Sequence, residues 1–251
     1  MRELAAQAAR LRALMVPGAP LVLPNAWDAA TANLVAGLGF PVVATSSHAV
    51  AAAAGFPDDN SMPADVAFAA VATIAGATAL PVTADLEAGY GLDTEELVAR
   101  LHGAGAVGCN LEDTDHALGG LVPVAEQAAW LASVKAAGDV VLNARVDTFI
   151  SRSVAPEDRL PQAIERGRAY LAAGADCVYP IGLTDPEGIR EFTSAVGGPV
   201  NVHFHFGGPS VAELASFGVA RISLGAGLFK VAQQAVADAV ATLGDNTSTV
   251  D

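Results

Sequence analysis

The chain has 251 residues, 52% of them hydrophobic and 16% charged, the balance of one large globular domain rather than of a disordered or fibrous chain. A formal net charge of −14, with lysine only at Lys135 and Lys230, excludes a surface made for nucleic acid or anionic membrane. Every apolar run is broken by Gly, Pro or a charge, so no membrane span is expected, and two isolated cysteines, Cys109 and Cys177, without a secretory leader point to reduced thiols in the cytoplasm.

Residues 1–14 carry a helical apolar period and read as an opening helix rather than a signal peptide. Strand-like runs follow at 21–25, 41–45, 81–85, 107–112, 140–145, 176–180, 199–203 and 220–224. Helix-like runs separate them at 29–38, 64–78, 94–103, 124–137, 156–173, 186–196, 210–217 and 226–243. Small-residue turns such as Gly37-Leu38-Gly39 and Ala173-Gly174-Ala175 close several helices, where glycine takes the left-handed conformation at low steric cost. Eight strand–helix units at this length predict a single (β/α)₈ barrel over 1–243, a TIM barrel, followed by a polar tail over 244–251. A doubly wound open sheet is the weaker reading, because no Gly-x-Gly-x-x-Gly opens the first helix.

In such a barrel the chemistry sits at the C-terminal ends of the strands, and the acids fall there. Alternation puts Thr83, Asp85 and Glu87 on one face of the third strand, Asn110 and Glu112 on one face of the fourth, and Asn143, Arg145 and Asp147 on one face of the fifth. Carboxylates that close resist ionising together unless a cation or hydrogen-bond donors compensate, and a hard divalent ion with oxygen ligands is the usual compensation. The long segment 46–63, with His48, Asp58 and Asp59, has the length of a lid or binding loop. His102 is expected at a helix end and His203 and His205 at the core or rim. Both lysines fall in helices, which speaks against a Schiff-base aldolase.

The series Pro24-Asn25-Ala26-Trp27-Asp28-Ala29, Thr45-Ser46-Ser47, Gly55-Phe56-Pro57-Asp58, Asp85-Leu86-Glu87-Ala88-Gly89-Tyr90-Gly91, Asn110-Leu111-Glu112-Asp113 and Asn143-Ala144-Arg145-Val146-Asp147 resembles the isocitrate lyase/phosphoenolpyruvate mutase superfamily across nearly the whole chain. The resemblance implies Mg²⁺, with Mn²⁺ as a substitute, bound directly by Asp85 and largely through water by Asp58, Glu87 and Glu112. It also implies a small carboxylate substrate held by Ser46 and Ser47, by Arg145 as the group that stabilises an enolate or carboxylate, and by Asn201. Trp27 and Tyr90 are candidate walls, Asp58 a candidate substrate contact, and Arg145, Glu112 and His116 the candidate catalytic residues, with His48 a further base. Homodimers or homotetramers that exchange a C-terminal helix are implied, the 226–243 helix being the candidate.

The lyase branch carries a Lys-Lys/Arg-Cys-Gly-His motif after the fourth strand, and the mutase branch a basic, Asn-bearing gate. Residues 113–121 contain neither, and Tyr179-Pro180-Ile181-Gly182 reads as apolar where lyases place a glutamate. The expected function is therefore a Mg²⁺-dependent C–C lyase or decarboxylase of a small 2-oxo or 2-hydroxy (di)carboxylic acid, acting through a pyruvate-like enolate. A phosphonopyruvate hydrolase or mutase and a non-catalytic 2-oxo acid binder are the alternatives.

Overall fold

A computed structural model describes residues 2–245. The chain runs through α1 (Arg2–Leu14), β1 (Leu21–Leu23), β2 (Asn25–Ala26), α2 (Ala29–Gly37), β3 (Val43–Thr45), α3 (Ser47–Ala54), α4 (Ala64–Gly76), β4 (Val82–Asp85), α5 (Thr94–Gly103) and β5 (Gly108–Glu112). A hairpin of β6 (Thr114–Asp115) and β7 (Gly120–Leu121) follows, then α6 (Val124–Ala137), β8 (Val141–Val146), a 3₁₀ turn (Pro156–Asp158) and α7 (Arg159–Ala172). The last elements are β9 (Cys177–Pro180), α8 (Pro186–Val196), β10 (Asn201–His203), α9 (Val211–Ser216), β11 (Arg221–Ser223) and α10 (Gly227–Asp245).

The strands are parallel apart from the hairpin and close into a ring. One sheet has the order β2-β3-β4-β5-β8-β9 and another β1-β11-β10. A parallel bridge between Val178 and Val200 joins β9 to the start of β10. The ring closes because β1 and β2 are halves of one strand: β1 pairs with β11 and β2 with β3. Pro24 separates them, since it has no N–H to give a ladder. Asn25 repairs the seam, its Nδ2 donating to the Thr45 carbonyl at 2.7 Å and its Oδ1 accepting the Leu224 N–H at 2.8 Å. Eight strand positions thus form the expected (β/α)₈ barrel.

Alternation along each strand divides the core in two. Outward residues such as Val82, Ala84, Cys109, Leu111, Leu142 and Ala144 pack under the helices in the larger cluster. On α7 the buried residues Ala163, Arg166, Gly167 and Tyr170 fall at helical spacing. Inward residues at the strand beginnings, among them Leu21, Leu23, Val141 and Cys177, form a smaller cluster with Ala8, Leu11 and Met15 at and just beyond α1, so this helix plugs the N-terminal mouth. Arg12 anchors the plug, bonded to Asp176 at 2.8 Å and Asp139 at 2.5 Å. Both cysteines are free and fully buried, and burial pushes their thiols up to about 12.

Three expectations change. The segment 46–63 is not all loop, because Ser46 caps α3, its hydroxyl accepting the Ala49 N–H. The segment after the fourth barrel strand folds into the β6–β7 hairpin. The last helix runs through Asp245 rather than stopping at 243, so the expected tail loses its first two residues to α10, and the remainder lies outside the described residues.

Glu112, the last residue of β5, and Asp113 just after it separate a site from its support. Glu112 points into the barrel, whereas Asp113 is buried behind it, accepting Arg166 Nη1 at 2.9 Å, Tyr170 hydroxyl at 2.7 Å and the Asp147 N–H at 2.9 Å. Asp113→Ala strands a buried guanidinium and is expected to cost about 3–5 kcal/mol, against about 1.5–3 kcal/mol for Tyr170→Phe, which removes a hydroxyl that donates to Asp113 and accepts from Arg166. Urea denaturation of the two variants checks that order.

Candidate active site

Inward positions that are apolar at the plugged end become polar at the other. On β8 the column runs Val141, Asn143, Arg145, Asp147; on β5, Gly108, Asn110, Glu112. The register lays Asp85 beside Asn110 and Glu112 beside Arg145, so these side chains meet at one rim.

Each carboxylate is partly neutralised by a different donor. Ser47 gives its N–H and its hydroxyl to Asp85 Oδ2 at 3.1 and 2.9 Å. Asn60 gives its N–H to Glu87 Oε2 and takes the Tyr90 N–H on its side-chain oxygen at 3.0 Å. Glu112 is clamped by His116 Nε2 at 2.6 Å on Oε1 and by Arg145 Nη1 at 2.5 Å on Oε2. The rest of the Arg145 fork binds Asp147 through Nε at 2.7 Å and Nη2 at 2.8 Å, and Thr114 donates to the same carboxylate. Asp58, within the 46–63 segment, has its Oδ2 3.3 Å from His48 Nδ1.

Of the three buried carboxylate oxygens here without a hydrogen bond among the described residues, Glu112 Oε2 has the Arg145 ion pair and two have neither. Asp85 Oδ1 and Glu87 Oε1 are sealed from solvent with no hydrogen-bond partner among the described residues. Buried polar atoms are rarely left so. Burial, with the charges of Asp58, Glu112 and Asp85 beyond it, pushes Glu87 up to about 7 against the opposing Asn60 N–H. No three His, Cys, Asp or Glu side chains among the described residues converge closely enough to ligate one ion directly. A cation here would take a direct ligand from Asp85 and reach its neighbours through water, a hard-oxygen set that fits Mg²⁺. The loop that presents these groups is wound tightly: Glu87, Gly89, Tyr90 and Gly91 all have positive φ, 50°, 86°, 54° and 71°. At Gly89 a side chain would also press on Leu97 and Trp130, so glycine is required there.

Two connected lobes open at this rim and share Asp58 and Arg145. The larger, about 520 Å³, lies between Glu87, Glu112, His116, the Gly119–Gly120 turn and the loop carrying Ser151, Arg152 and Ser153. The other, about 390 Å³, is bounded by Ser46, Ser47, Asp85, Asn110, Tyr179 and His203, with Lys230 at its edge. Tyr179 was read from sequence as part of an apolar stretch. Its hydroxyl instead reaches this lobe, 3.4 Å from His203 Nδ1, and burial raises its pKa, so it stays protonated near neutrality. Its signal was its phase with Arg145, its partner in register. Arg152 and Asn60 were also unread, because loop residues have no period to place them.

Of the candidates, Ser46, Ser47, Asp58, Asp85, Glu87, Glu112, His116 and Arg145 line the two lobes. Three do not. Trp27 stands edge-on to Phe229 of α10, ring centres 5.2 Å apart. Tyr90 packs beside Glu87, and Asn201 lies wholly inside the barrel with its Nδ2 on Ser223 Oγ at 3.1 Å. Lys135 is held by Asp176 at 2.7 Å, and Asp93 is the N-cap of α5.

The family model of phosphoenolpyruvate phosphomutase matches residues 11–243. The chain belongs to that family. The resemblance carried by the strand-end motifs is thereby shown. An uncharacterised protein of Mycobacterium tuberculosis is 31% identical over 91% of this chain and 86% of its own length. An oxaloacetate decarboxylase of Rhodopseudomonas palustris is 32% identical over 82% of this chain and 72% of its own. A crystal structure from Burkholderia cenocepacia J2315, provisionally described as a phosphonomutase, superposes with a TM-score of 0.88 at 42% identity, covering 93% of this chain and 98% of that one. No helix among the described residues is long and apolar enough to cross a membrane.

Glu87→Gln tests the cost of crowding these acids. In metal-free protein the variant is expected to be more stable than wild type by about 1–2 kcal/mol at pH 8. The cost it removes builds up from about pH 4.5, where the unfolded carboxyl ionises, to about 7, where the folded one does, so the gain is complete above 7 and shrinks in mildly acidic buffer. Added Mg²⁺ is expected to raise the melting temperature of wild type and to raise that of the variant far less. Thermal unfolding with and without chelator reads both effects.

Proposed function

We propose that this protein is a Mg²⁺-dependent C–C lyase or decarboxylase of a small 2-oxo or 2-hydroxy dicarboxylic acid, working through a pyruvate-like enolate. The observation that carries the reading is the pair of buried, unpartnered oxygens, Asp85 Oδ1 and Glu87 Oε1, at a rim that also presents Arg145. Mg²⁺, or Mn²⁺ in its place, held by Asp85 and through water by Asp58, Glu87 and Glu112, would chelate the 2-oxo and carboxylate oxygens and spread the charge of an enolate.

The side chains divide the remaining work. Ser46, Ser47 and Asn110 bound the lobe assigned to the pyruvate-like half, and Arg145 stands between the lobes, where its charge opposes the negative charge that develops as the bond breaks. In the decarboxylation of an oxaloacetate-like acid the C3–C4 bond breaks, its electron pair enters the C2–C3 enolate, CO₂ leaves, and C3 takes a proton. His116, fixed on Glu112 in the larger lobe, and Tyr179, across the other, are the two groups placed to move that proton. The larger lobe exceeds what CO₂ needs, and it carries Arg152, which makes no ion pair among the described residues. Both features favour a departing fragment with an anionic group of its own. The 32% identity to a decarboxylase supports the class of reaction; the 42% identity to the Burkholderia structure keeps phosphonate chemistry as the second reading.

Pyruvate release from oxaloacetate, methylisocitrate, dimethylmalate and phosphonopyruvate, with Mg²⁺ or with chelator, tests the reading. Turnover of one carboxylic acid is expected, lost with chelator and reduced at least about a hundredfold in Asp85→Ala. Phosphate release from phosphonopyruvate would establish the second reading, and oxo-acid binding without turnover of any compound the non-catalytic one.

An oligomer that exchanges α10 belongs to the same proposal. Val231, Val236, Val240 and Leu243 on this helix are 53%, 60%, 58% and 64% exposed. A cavity of about 330 Å³ with a wholly apolar lining, including Val22, Leu34, Leu38 and Phe40, lies beside β1 and α2. An exposed apolar helix face fits a partner's groove of this kind. Val236→Asp with Val240→Asp is expected to convert dimers or tetramers to monomers in light scattering.

A further inference from the structure

Asn110 faces the barrel interior from β5, beside Asp85 on β4 and Asn143 on β8, and lines the smaller lobe with Ser46, Ser47 and Arg145. Its side-chain oxygen is used twice. Asn143 Nδ2 donates to it at 2.8 Å and Arg221 Nη2 at 3.1 Å. Arg221 comes from β11, whose neighbours are β1 and β10, so its side chain crosses the barrel to reach β5. It is 1% exposed, and its Nε and Nη1 have no hydrogen-bond partner among the described residues.

This contact fixes the direction of the Asn110 amide. A guanidinium can only donate, so the atom facing Arg221 must be the oxygen. Turning the amide over would set N–H against N–H at two places. With its oxygen held from below, Asn110 has its NH₂ left over, bonded to no described residue, on the residue that forms the floor of the lobe. An aspartate would pair better with Arg221 but would add a charge next to Asp85 and present only acceptors. Asparagine keeps the floor neutral and keeps a donor on it.

We propose that Asn110 is a fixed N–H donor to an oxygen of the substrate's carboxylate or enolate, and that Arg221 and Asn143 are positioning residues that hold it in the donor orientation. This rests on the reading of the smaller lobe as the seat of the pyruvate-like half. It gives the buried arginine a role: burying a cation without an acidic partner is costly, and here the cation sets the polarity of the floor above it.

Oxalate, a planar dianion of the shape of the pyruvate enolate, probes the floor without turnover. Its affinity is measured by calorimetry on Mg²⁺-loaded wild type, Asn110→Ala, Asn110→Asp, Arg221→Met and the Asn110→Ala/Arg221→Met double variant. Asn110→Ala is expected to bind about tenfold more weakly or worse, the effect of one lost bond to a charged group. Asn110→Asp, which keeps a partner for Arg221, is expected to lose binding while its melting temperature holds. Arg221→Met is expected to weaken binding on its own and to add nothing in the double variant, because the amide it positions is gone. If Arg221→Met does not fold, Asn143→Ala takes its place with the same expectation. Wild-type affinity in Asn110→Ala, losses that multiply in the double variant, or no oxalate binding by wild type would each overturn the proposal. Oxalate binding by wild type without pyruvate release from any acid overturns the lyase reading alone, and the variant affinities still decide the role of Asn110.

Discussion

Four carboxylates, Asp58, Asp85, Glu87 and Glu112, crowd one rim of a barrel whose walls are closely packed, and the rest of the site follows from that repulsion. At Glu87 and Glu112 water cannot relieve it, because both are almost wholly buried, and a low local dielectric strengthens both repulsion and attraction. Donors are therefore spent one by one: Ser47 on Asp85, Asn60 on Glu87, His116 and Arg145 on Glu112. Non-glycine residues in the left-handed region cluster here as well, Asn60 with Glu87 and Tyr90, where unusual backbone is kept only if the surroundings enforce it. One oxygen each of Asp85 and Glu87 is left without a donor, and under the proposed function that residue of negative potential is what a cation would neutralise.

The barrel makes such crowding tolerable. Its parallel ladder fixes the strand ends, its outward alternate residues anchor them to the helices, and α1 closes the far mouth with an apolar plug. Charges placed outward do a different job from charges placed inward. Asp113 with Arg166 and Tyr170 braces the β5 end from behind, while Glu112, one residue earlier, faces the lobe. Arg145 is drawn taut between Glu112 and Asp147, which fixes its fork across the two lobes.

The sequence carried the parts of this that depend on period. Eight strand positions and the phase of Thr83, Asp85, Asn110, Glu112, Asn143 and Arg145 were legible because a strand alternates strictly and one slip reverses every face. Partners across the barrel were not. Nothing local in Arg221-Ile222-Ser223 says that its first side chain meets Asn110 through the interior, and nothing in Tyr179-Pro180 says that the phenol turns toward His203. The capped helix α3 was hidden inside a segment read as one loop, although Ser46 followed by alanines carried its N-cap signal. Trp27 shows the converse: its motif suggested a site wall, and tertiary packing gives its ring to Phe229.

The most direct measurement is a crystal structure of the protein with Mn²⁺ and oxalate, the metal located by anomalous scattering. The account predicts one peak within ligand distance of Asp85 Oδ1, with oxalate completing its coordination and Glu87 and Glu112 reached through ordered water. A metal bound elsewhere, or none at this rim while Asp85 Oδ1 and Glu87 Oε1 take protein partners instead, would contradict it.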